Sequence, residues 1–394
     1  MATTFHPIFS PEFLTDPYPT YDYLRQRSPI CFVEDMNGWA ITGYREAVAI
    51  LKDRRFGNSI RSNPAIHENI PLFSKFEENG LVHVDAPKHT RLRALLQKNF
   101  SPAAMKQLEE PIREIVLELL DKLSGATEID YIRDFAYPLP TSVIAELVGV
   151  PASDRDLFRS WSRGIVEGFD INATPEMQIQ CNNIFKDFRA YILKLADERR
   201  KQPKNDLVTH FVEAYDGQLV SEEELINNCI LLLTAGHETS VSILTNGILA
   251  LLEHPEQMAR LKKDPSLVGS AMEEMMRWAR PLQMVMRVVK QDLEMDGHRF
   301  MRGQTVVVFL SAANRDPQVF EQPDRFDIGR TPNGHLGFGY GIHHCLGAPL
   351  ARIEAPIALE EFLKRFPNVA LTEKPLKFMV TLRNLTLKEL PLRV

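Results

Sequence analysis

The chain has 394 residues, 44% hydrophobic and 25% charged, an ordinary globular composition with enough apolar residues for a large buried core. Its net charge of −6 leaves no global footprint for nucleic acid. Met1-Ala2-Thr3-Thr4-Phe5-His6-Pro7 has no basic region before an apolar stretch, the run Cys229 to Ala235 is too short to cross a bilayer, and the cysteines at 31, 181, 229 and 345 are scattered.

We therefore expect no signal peptide, no membrane anchor and no disulfide framework, and a cytoplasmic location. No Gly/Ser-rich linker, charge block or repeat divides the chain, so residues 1–394 are expected to form a single domain. Tyr18 to Arg27 reads as a short helix. Ile30 to Val33 and Trp39 to Thr42 read as strands, with Asn37-Gly38 as a two-residue hairpin turn. Arg45 to Asp53 reads as a helix. Residues 57–84 read as a long irregular loop, a feature usually tied to function in a compact domain.

Asp85-Ala86-Pro87 opens the next helix with an acidic cap and an early proline. On it His89 and Arg93 lie one turn apart on one face. The pair is either an exposed polar face or two donors for an anionic group. Pro102 to Ser124 is amphipathic. Further helices are expected at Asp134 to Gly149, Ser153 to Phe169 and Met177 to Lys201, the last two joined by Asp170-Ile171-Asn172-Ala173-Thr174-Pro175.

Ser221-Glu222-Glu223-Glu224 begins a long helix with a cap and an acidic first turn, running to His254-Pro255. At 1.5 Å per residue it is about 50 Å long. Ile230 to Ala235 is apolar all round and is expected in the core. Within the same helix stand Gly236, His237, Glu238, Thr239 and Ser240. A glycine costs about 1 kcal/mol in a helix interior, and a buried acid costs more unless it is paired or hydrated. Either the helix surfaces there, with Thr239 bonding back to the preceding turn, or the two unfavourable choices mark function.

Pro255 to Leu261 and Pro265 to Trp278 are further helices. On the second, Glu274 and Arg277 lie three apart and form at least a routine ion pair. Pro281 to Met286 is extended and ends in Arg287. Val285 to Val289 and Thr305 to Phe309 read as strands, and Leu293 to Met295 and Arg299 to Met301 flank a hairpin at Asp296-Gly297-His298. Residues 369–393 read as short strands, with Phe378-Met379-Val380-Thr381-Leu382 at a hairpin tip.

Gly337-Phe338-Gly339-Tyr340-Gly341-Ile342-His343-His344-Cys345-Leu346-Gly347 is a glycine-dense loop that ends at a helix signal. The unpaired amides and dipole of a helix N-terminus favour a thiolate at Cys345. Neither Gly337-x-Gly339 nor Gly339-x-Gly341 has the third glycine of a dinucleotide loop, and no Cys-x-x-Cys exists for zinc. By spacing alone Cys345 is either an inert buried thiol or a lone thiolate suited to one axial bond on haem iron.

The run Phe338 to Arg352 closely resembles the cysteine-ligand signature of the cytochrome P-450 family, in its soluble bacterial style. Four more family motifs stand in family order across most of the chain: His89-x-x-x-Arg93, Ala235-Gly236-His237-Glu238-Thr239, Glu274-x-x-Arg277 and Pro323-Asp324-Arg325-Phe326. The resemblance implies a mainly α fold with small β-sheets (α+β), the triangular haem-thiolate cytochrome fold, with haem b between the long helix and the cysteine helix. It makes Cys345 the iron ligand. It places Phe338, Gly339, Gly347, Ala235 and Gly236 against the haem, with Gly236 leaving room above it. His89, Arg93, Arg287 and His343 would hold the haem propionates. Thr239 would hydrogen-bond the bound dioxygen and Glu238 would relay protons. Glu274, Arg277 and Arg325 would form a buried structural network.

The implied reaction is hydroxylation (or epoxidation) of a hydrophobic small molecule, steroid- or terpenoid-like, by a monomer using O2. Two electrons would come from a ferredoxin and its reductase, because the chain has no flavin or iron–sulfur motif. Lys88, Arg91 and Lys98 are expected to help dock that partner. By family position the substrate pocket is Leu231, Leu232, Ala235, Leu282, Met284, Val285, Met379 and Val380. The helices Ser153 to Phe169 and Met177 to Lys201 would form its lid. The alternatives are an H2O2-dependent peroxygenase, against which the Glu238-Thr239 pair argues, and a non-catalytic haem-based ligand sensor, against which the intact Thr239 argues.

Overall fold

The computed structural model describes residues 7–8, 10–58, 70–168, 173–380 and 385–394. Asp170-Ile171-Asn172, Thr381-Leu382 and residues 59–69 of the expected long loop lie outside the described residues. The chain gathers into two compact units. One holds residues 1–57, 116–136 and 239–394, the other residues 58–115 and 137–238.

The first unit is built on a five-stranded sheet in the order Ile30–Val33, Gly38–Ile41, Thr305–Phe309, Met284–Val289 and Phe56–Gly57. Gly38–Ile41 pairs in parallel with Thr305–Phe309, and the other pairings are antiparallel. The central strands are apolar at successive positions because both faces are covered. Trp39, Ile41, Val306 and Val308 enter one core cluster with Ile50, Phe56 and Phe300. Ala40, Val307 and Phe309 enter a second cluster with Phe13, Tyr21 and Leu24.

The first hairpin differs from expectation. Val33 pairs with Gly38, so Glu34–Met36 forms a 3-10 turn and Asn37 (φ 44°) closes a longer loop. The two-residue turn occurs instead at Asp296-Gly297, with φ 50° and 75°, where Met295 pairs with His298. The cysteine helix, Ala348–Arg365, packs its inner side through Phe362 against Tyr131 and Phe135.

The second unit is helical: Pro71–Asn79, Lys88–Gln97, Pro138–Val148, Arg155–Gly168, Pro175–Lys201, Leu207–Asp216 and the first part of the central helix, Glu222–Glu253. Pro71–Asn79 falls where an irregular loop was expected, and Leu207–Asp216 had no counterpart in the sequence reading. Phe158 and Trp161 pack on Phe188 and Tyr191, which joins Arg155–Gly168 to Pro175–Lys201. The buried ion pair of Arg199 and Asp206, 2.5 Å apart, ties the end of Pro175–Lys201 to the start of Leu207–Asp216. Asp206 also caps that helix by accepting from the Thr209 amide at 2.8 Å.

The central helix starts with a complete capping box. Ser221 Oγ accepts from the Glu224 amide at 3.2 Å, and Glu224 Oε2 accepts from the Ser221 amide at 2.9 Å. Asn228 in the next turn donates to the Asn79 carbonyl and accepts from the Leu81 amide, so two polar atoms inside the core are satisfied.

Candidate haem-thiolate site

In the first unit the chain passes from Leu336 into the cysteine loop through tight backbone bonds. The Leu336 amide donates to Asn314 Oδ1 at 2.7 Å, the Gly339 amide to the Leu336 carbonyl at 2.8 Å, and the Cys345 amide to the Phe338 carbonyl at 2.8 Å. Gly341 (φ 74°) lies against the Leu51 backbone, where a side chain would collide, so only glycine serves. A 3-10 turn, Gly341–His343, then delivers Cys345, which is exposed, to the N-terminal end of the helix at Ala348. A Cβ at Gly347 would touch Cys345 Sγ at an ordinary van der Waals distance, 3.9 Å.

A charged clamp braces this loop. Arg352 Nε and NH2 donate to the two oxygens of Glu273 at 2.7 and 3.1 Å. His335 Nδ1 accepts from the Gly337 amide at 3.0 Å, so its hydrogen is on Nε2, which donates to Glu273 at 2.8 Å. The Arg352 guanidinium lies 4.6 Å from the centre of the Phe338 ring. Burial acts to raise the Glu273 carboxyl, but hydrogen bonds from His335 and Arg352 outweigh it and draw it down to about 2. None of this clamp was anticipated. The signal available was an acid directly before Glu274 and a histidine two residues before Gly337.

The central helix is buried along most of its length, yet Ala235 is exposed, and Leu232, Gly236, Glu238, Thr239 and Ser240 are half-buried. Leu232, Ala235, Gly236 and Thr239 share one face at helical spacing. The expectation that Ile230 to Ala235 is buried all round is thus corrected at Leu232 and Ala235. Gly236 has a specific neighbour: a Cβ there would lie 2.9 Å from the Ile144 side chain. Its lack of a side chain permits close packing of Pro138–Val148, whereas room above the haem was expected. Past Thr239, Ser240, Ile243 and Leu244 of this helix face Ala351, Glu354 and Ala355 of the cysteine helix across a narrow gap.

Of the expected propionate residues, His89 (buried) and Arg93 (half-buried) stand one turn apart in the second unit. Arg287 (buried) and His343 (half-buried) belong to the first. Arg287 donates to the Met286 carbonyl at 2.8 Å. Asp85 does not cap the His89 helix as expected; its Oδ1 accepts from the Asn58 amide at 3.0 Å.

Three expectations change. Glu274 and Arg277, both fully buried, bond in bidentate fashion at 2.8 Å. Their third charged partner is Arg330, 3.2 Å from Glu274, whereas Arg325 lends only its carbonyl to Arg277 and turns its side chain to Gln322. Met284 sits in the second core cluster, while Leu282 and Val285 lie against the first, as strand alternation requires for 284 and 285. Lys88 and Arg91 are engaged at the Glu224 carboxylate, at 3.5 and 2.5 Å, and only Lys98 of the expected docking trio has no such tie among the described residues. Met379 and Val380 lie in the strand Lys377–Val380, paired with Thr386 and Leu385.

Among the described residues no group of three or more His, Cys, Asp or Glu side chains could hold a metal ion. Cys345, exposed at the head of the cysteine helix, offers a single sulfur ligand. That donor set fits a group bringing its own equatorial ligands, as haem b does.

A family model described as Cytochrome P-450 matches residues 57–394. The chain is 37% identical over 385 residues to the biotin biosynthesis cytochrome P-450 of Bacillus subtilis (strain 168), covering 97% of each. It matches the crystal structure of P450BioI in complex with hexadec-9Z-enoic acid ligated acyl carrier protein with a TM-score of 0.91 at 37% identity, covering 98% of this chain and 100% of that one. It matches CYP109E1 from Bacillus megaterium in complex with testosterone with a TM-score of 0.88 at 33% identity, covering 98% and 99%.

Proposed function

The chain belongs to the cytochrome P-450 family, and from that premise we propose that it hydroxylates or epoxidises a steroid- or terpenoid-like molecule with electrons from a ferredoxin and its reductase. Family membership makes it a haem b monooxygenase that uses O2, a hydrophobic substrate and a redox partner. The haem, when bound, supplies the redox and oxygen-activating chemistry.

Every other task falls to the chain. Cys345 would ligate the haem iron, and its thiolate charge would tune the oxygen chemistry the haem supplies. The loop and the Arg352 clamp hold that sulfur in place. His89, Arg93, Arg287 and His343 supply cationic or hydrogen-bonding groups for the propionates. Leu232 and Ala235 offer apolar surface to substrate. Glu238 takes protons from solvent, and Thr239 hands them inward through its hydroxyl.

The observation that carries this reading lies on the central helix: the acid Glu238 and the alcohol Thr239 are both half-buried, just past the exposed Ala235 and half-buried Gly236. The testosterone complex of the related CYP109E1 supports a rigid polycyclic ligand, and the apolar face is compatible with it. Cys31, Cys181, Cys229 and Cys345 form no disulfide, and no described helix is long and apolar enough to cross a membrane.

Thr239→Ala is the direct test. With ferredoxin and reductase it is expected to consume NADPH at near wild-type rate but to release hydrogen peroxide in place of product. Unchanged product yield would overturn the role of Thr239. Turnover on hydrogen peroxide alone, indifferent to Thr239→Ala, would make the protein a peroxygenase.

A further inference from the structure

His237 lies between Gly236 and Glu238 on the central helix, and its side chain is 1% exposed. Its Nδ1 is 3.1 Å from the Leu233 carbonyl one turn back. A carbonyl can only accept, so Nδ1 carries a hydrogen. Nε2 has two neighbours: Tyr137 Oη at 3.3 Å and Glu238 Oε1 at 3.2 Å. The Tyr137 ring stands edge-on to the imidazole, 5.5 Å away at 72°. Tyr137 directly precedes Pro138–Val148, the helix whose Ile144 packs on Gly236. Arg163, on Arg155–Gly168, is paired with Glu167 at 2.8 Å and also places its charge near Tyr137 and Glu238. The groups that bear on His237 are thus Tyr137, Glu238, and the Arg163–Glu167 pair behind them.

One nitrogen cannot serve both neighbours in the same state. With the ring neutral, Nε2 is a lone pair. It accepts from the Tyr137 hydroxyl and repels a carboxylate at the same distance. With a second proton taken from solvent, Nε2–H donates to Glu238, and Tyr137 no longer has an acceptor there. We propose that His237 is a proton-controlled latch on Glu238: the neutral ring, held by Tyr137, leaves the carboxylate free to serve Thr239, and the protonated ring clamps it. His237 and Tyr137 are then positioning residues, acting through Glu238. The inference rests on the reading of Glu238 as the proton carrier.

The test uses the haem-loaded protein. In its reduced, carbon monoxide-bound form, ¹⁵N-histidine NMR follows His237 against pH in wild type, Glu238→Gln and Tyr137→Phe. Loss of the carboxylate removes a partner of the charged ring, so the titration midpoint should fall. Loss of the tyrosine hydroxyl removes a partner of the neutral ring, so the midpoint should rise. Shifts of opposite sign are expected, with Nδ1 protonated throughout. Shifts of the same sign, no shift, or a bare Nδ1 would overturn the latch.

NADPH consumption with ferredoxin and reductase, using testosterone as the probe, separates the latch from the reading beneath it. Where the His237 ring is neutral, Glu238→Gln should be slower than wild type by about 100-fold, and the two should converge at lower pH where the ring clamps the carboxylate. His237→Phe should lose the pH step that wild type shows through the His237 titration. A slow Glu238→Gln beside an unaltered profile in His237→Phe sinks the latch alone. A Glu238→Gln protein as fast as wild type at high pH, where the ring is neutral, sinks both.

Discussion

Glu274 has no exposed surface and takes hydrogen bonds or ion pairs from Arg277, Arg330, Asn333 and the Asp327 amide. A carboxylate removed from water is stable only while such partners remain. Arg330→Ala should therefore cost about 2–3 kcal/mol, and Arg325→Ala, whose side chain is on the surface, no more than about 0.5 kcal/mol. Urea midpoints of the two variants check this, and equal losses would contradict it. The Glu274–Arg277 pair was legible because three-residue spacing puts both on one helix face. The third partner was not, since neither motif nor spacing tells which of two nearby arginines turns inward. Glu354 poses a separate question of charge. It is buried beside Ser240, its Oε1 has no hydrogen-bond partner among the described residues, and burial pushes its carboxyl up to about 8. A carboxyl raised in the folded state contributes fully below its ordinary value of 4.5, and that contribution is lost as pH rises toward about 8. The Tm of Glu354→Gln relative to wild type should improve steadily from about pH 5 to about pH 8. A pH-independent difference would show that Glu354 is paired in solution.

The central helix shows how much an element reveals of itself. Its bounds, cap and acidic first turn were legible because Ser221 and Glu224 stand at capping-box spacing. Ser221→Ala should cost about 1 kcal/mol, read as a lower urea midpoint with unchanged slope. No loss would mean the helix start is held by packing alone. The same helix misled where apolar residues run together. Periodicity cannot tell a stretch covered on all sides from one in which Ala235 is exposed and Leu232 half-buried. The helix Pro71–Asn79 was hidden for a different reason. Its sequence begins at a proline inside a polar, glycine- and proline-marked stretch, and tertiary contacts hold it: Lys75 pairs with Glu223 at 3.2 Å, and the Leu72 amide donates to Asn182. Isolated helices this short are marginal without such support.

For the molecule as a whole, a net charge of −6 would give the proposed acidic ferredoxin no general attraction, so its docking would rely on local cations. Lys98 is exposed, whereas Arg91 is tied to the buried Glu224 beside the capping box. Lys98→Glu should raise the ferredoxin concentration needed for half-maximal turnover at low salt, an effect that added salt erases. Arg91→Glu should chiefly lower the urea midpoint, because it sets two carboxylates against each other. The family and the mainly α architecture were legible because five separated motifs stand in order. The division of labour within the site was not, because it depends on side chains far apart in sequence, such as Glu273 with Arg352 and Tyr137 with His237. The most direct measurement is the absorption spectrum of the reduced protein under carbon monoxide, for wild type and Cys345→Ala. The account predicts the long-wavelength Soret band of thiolate-ligated haem in wild type and its loss in the variant. A wild-type band at the shorter wavelength of histidine ligation, or one that survives Cys345→Ala, would contradict it.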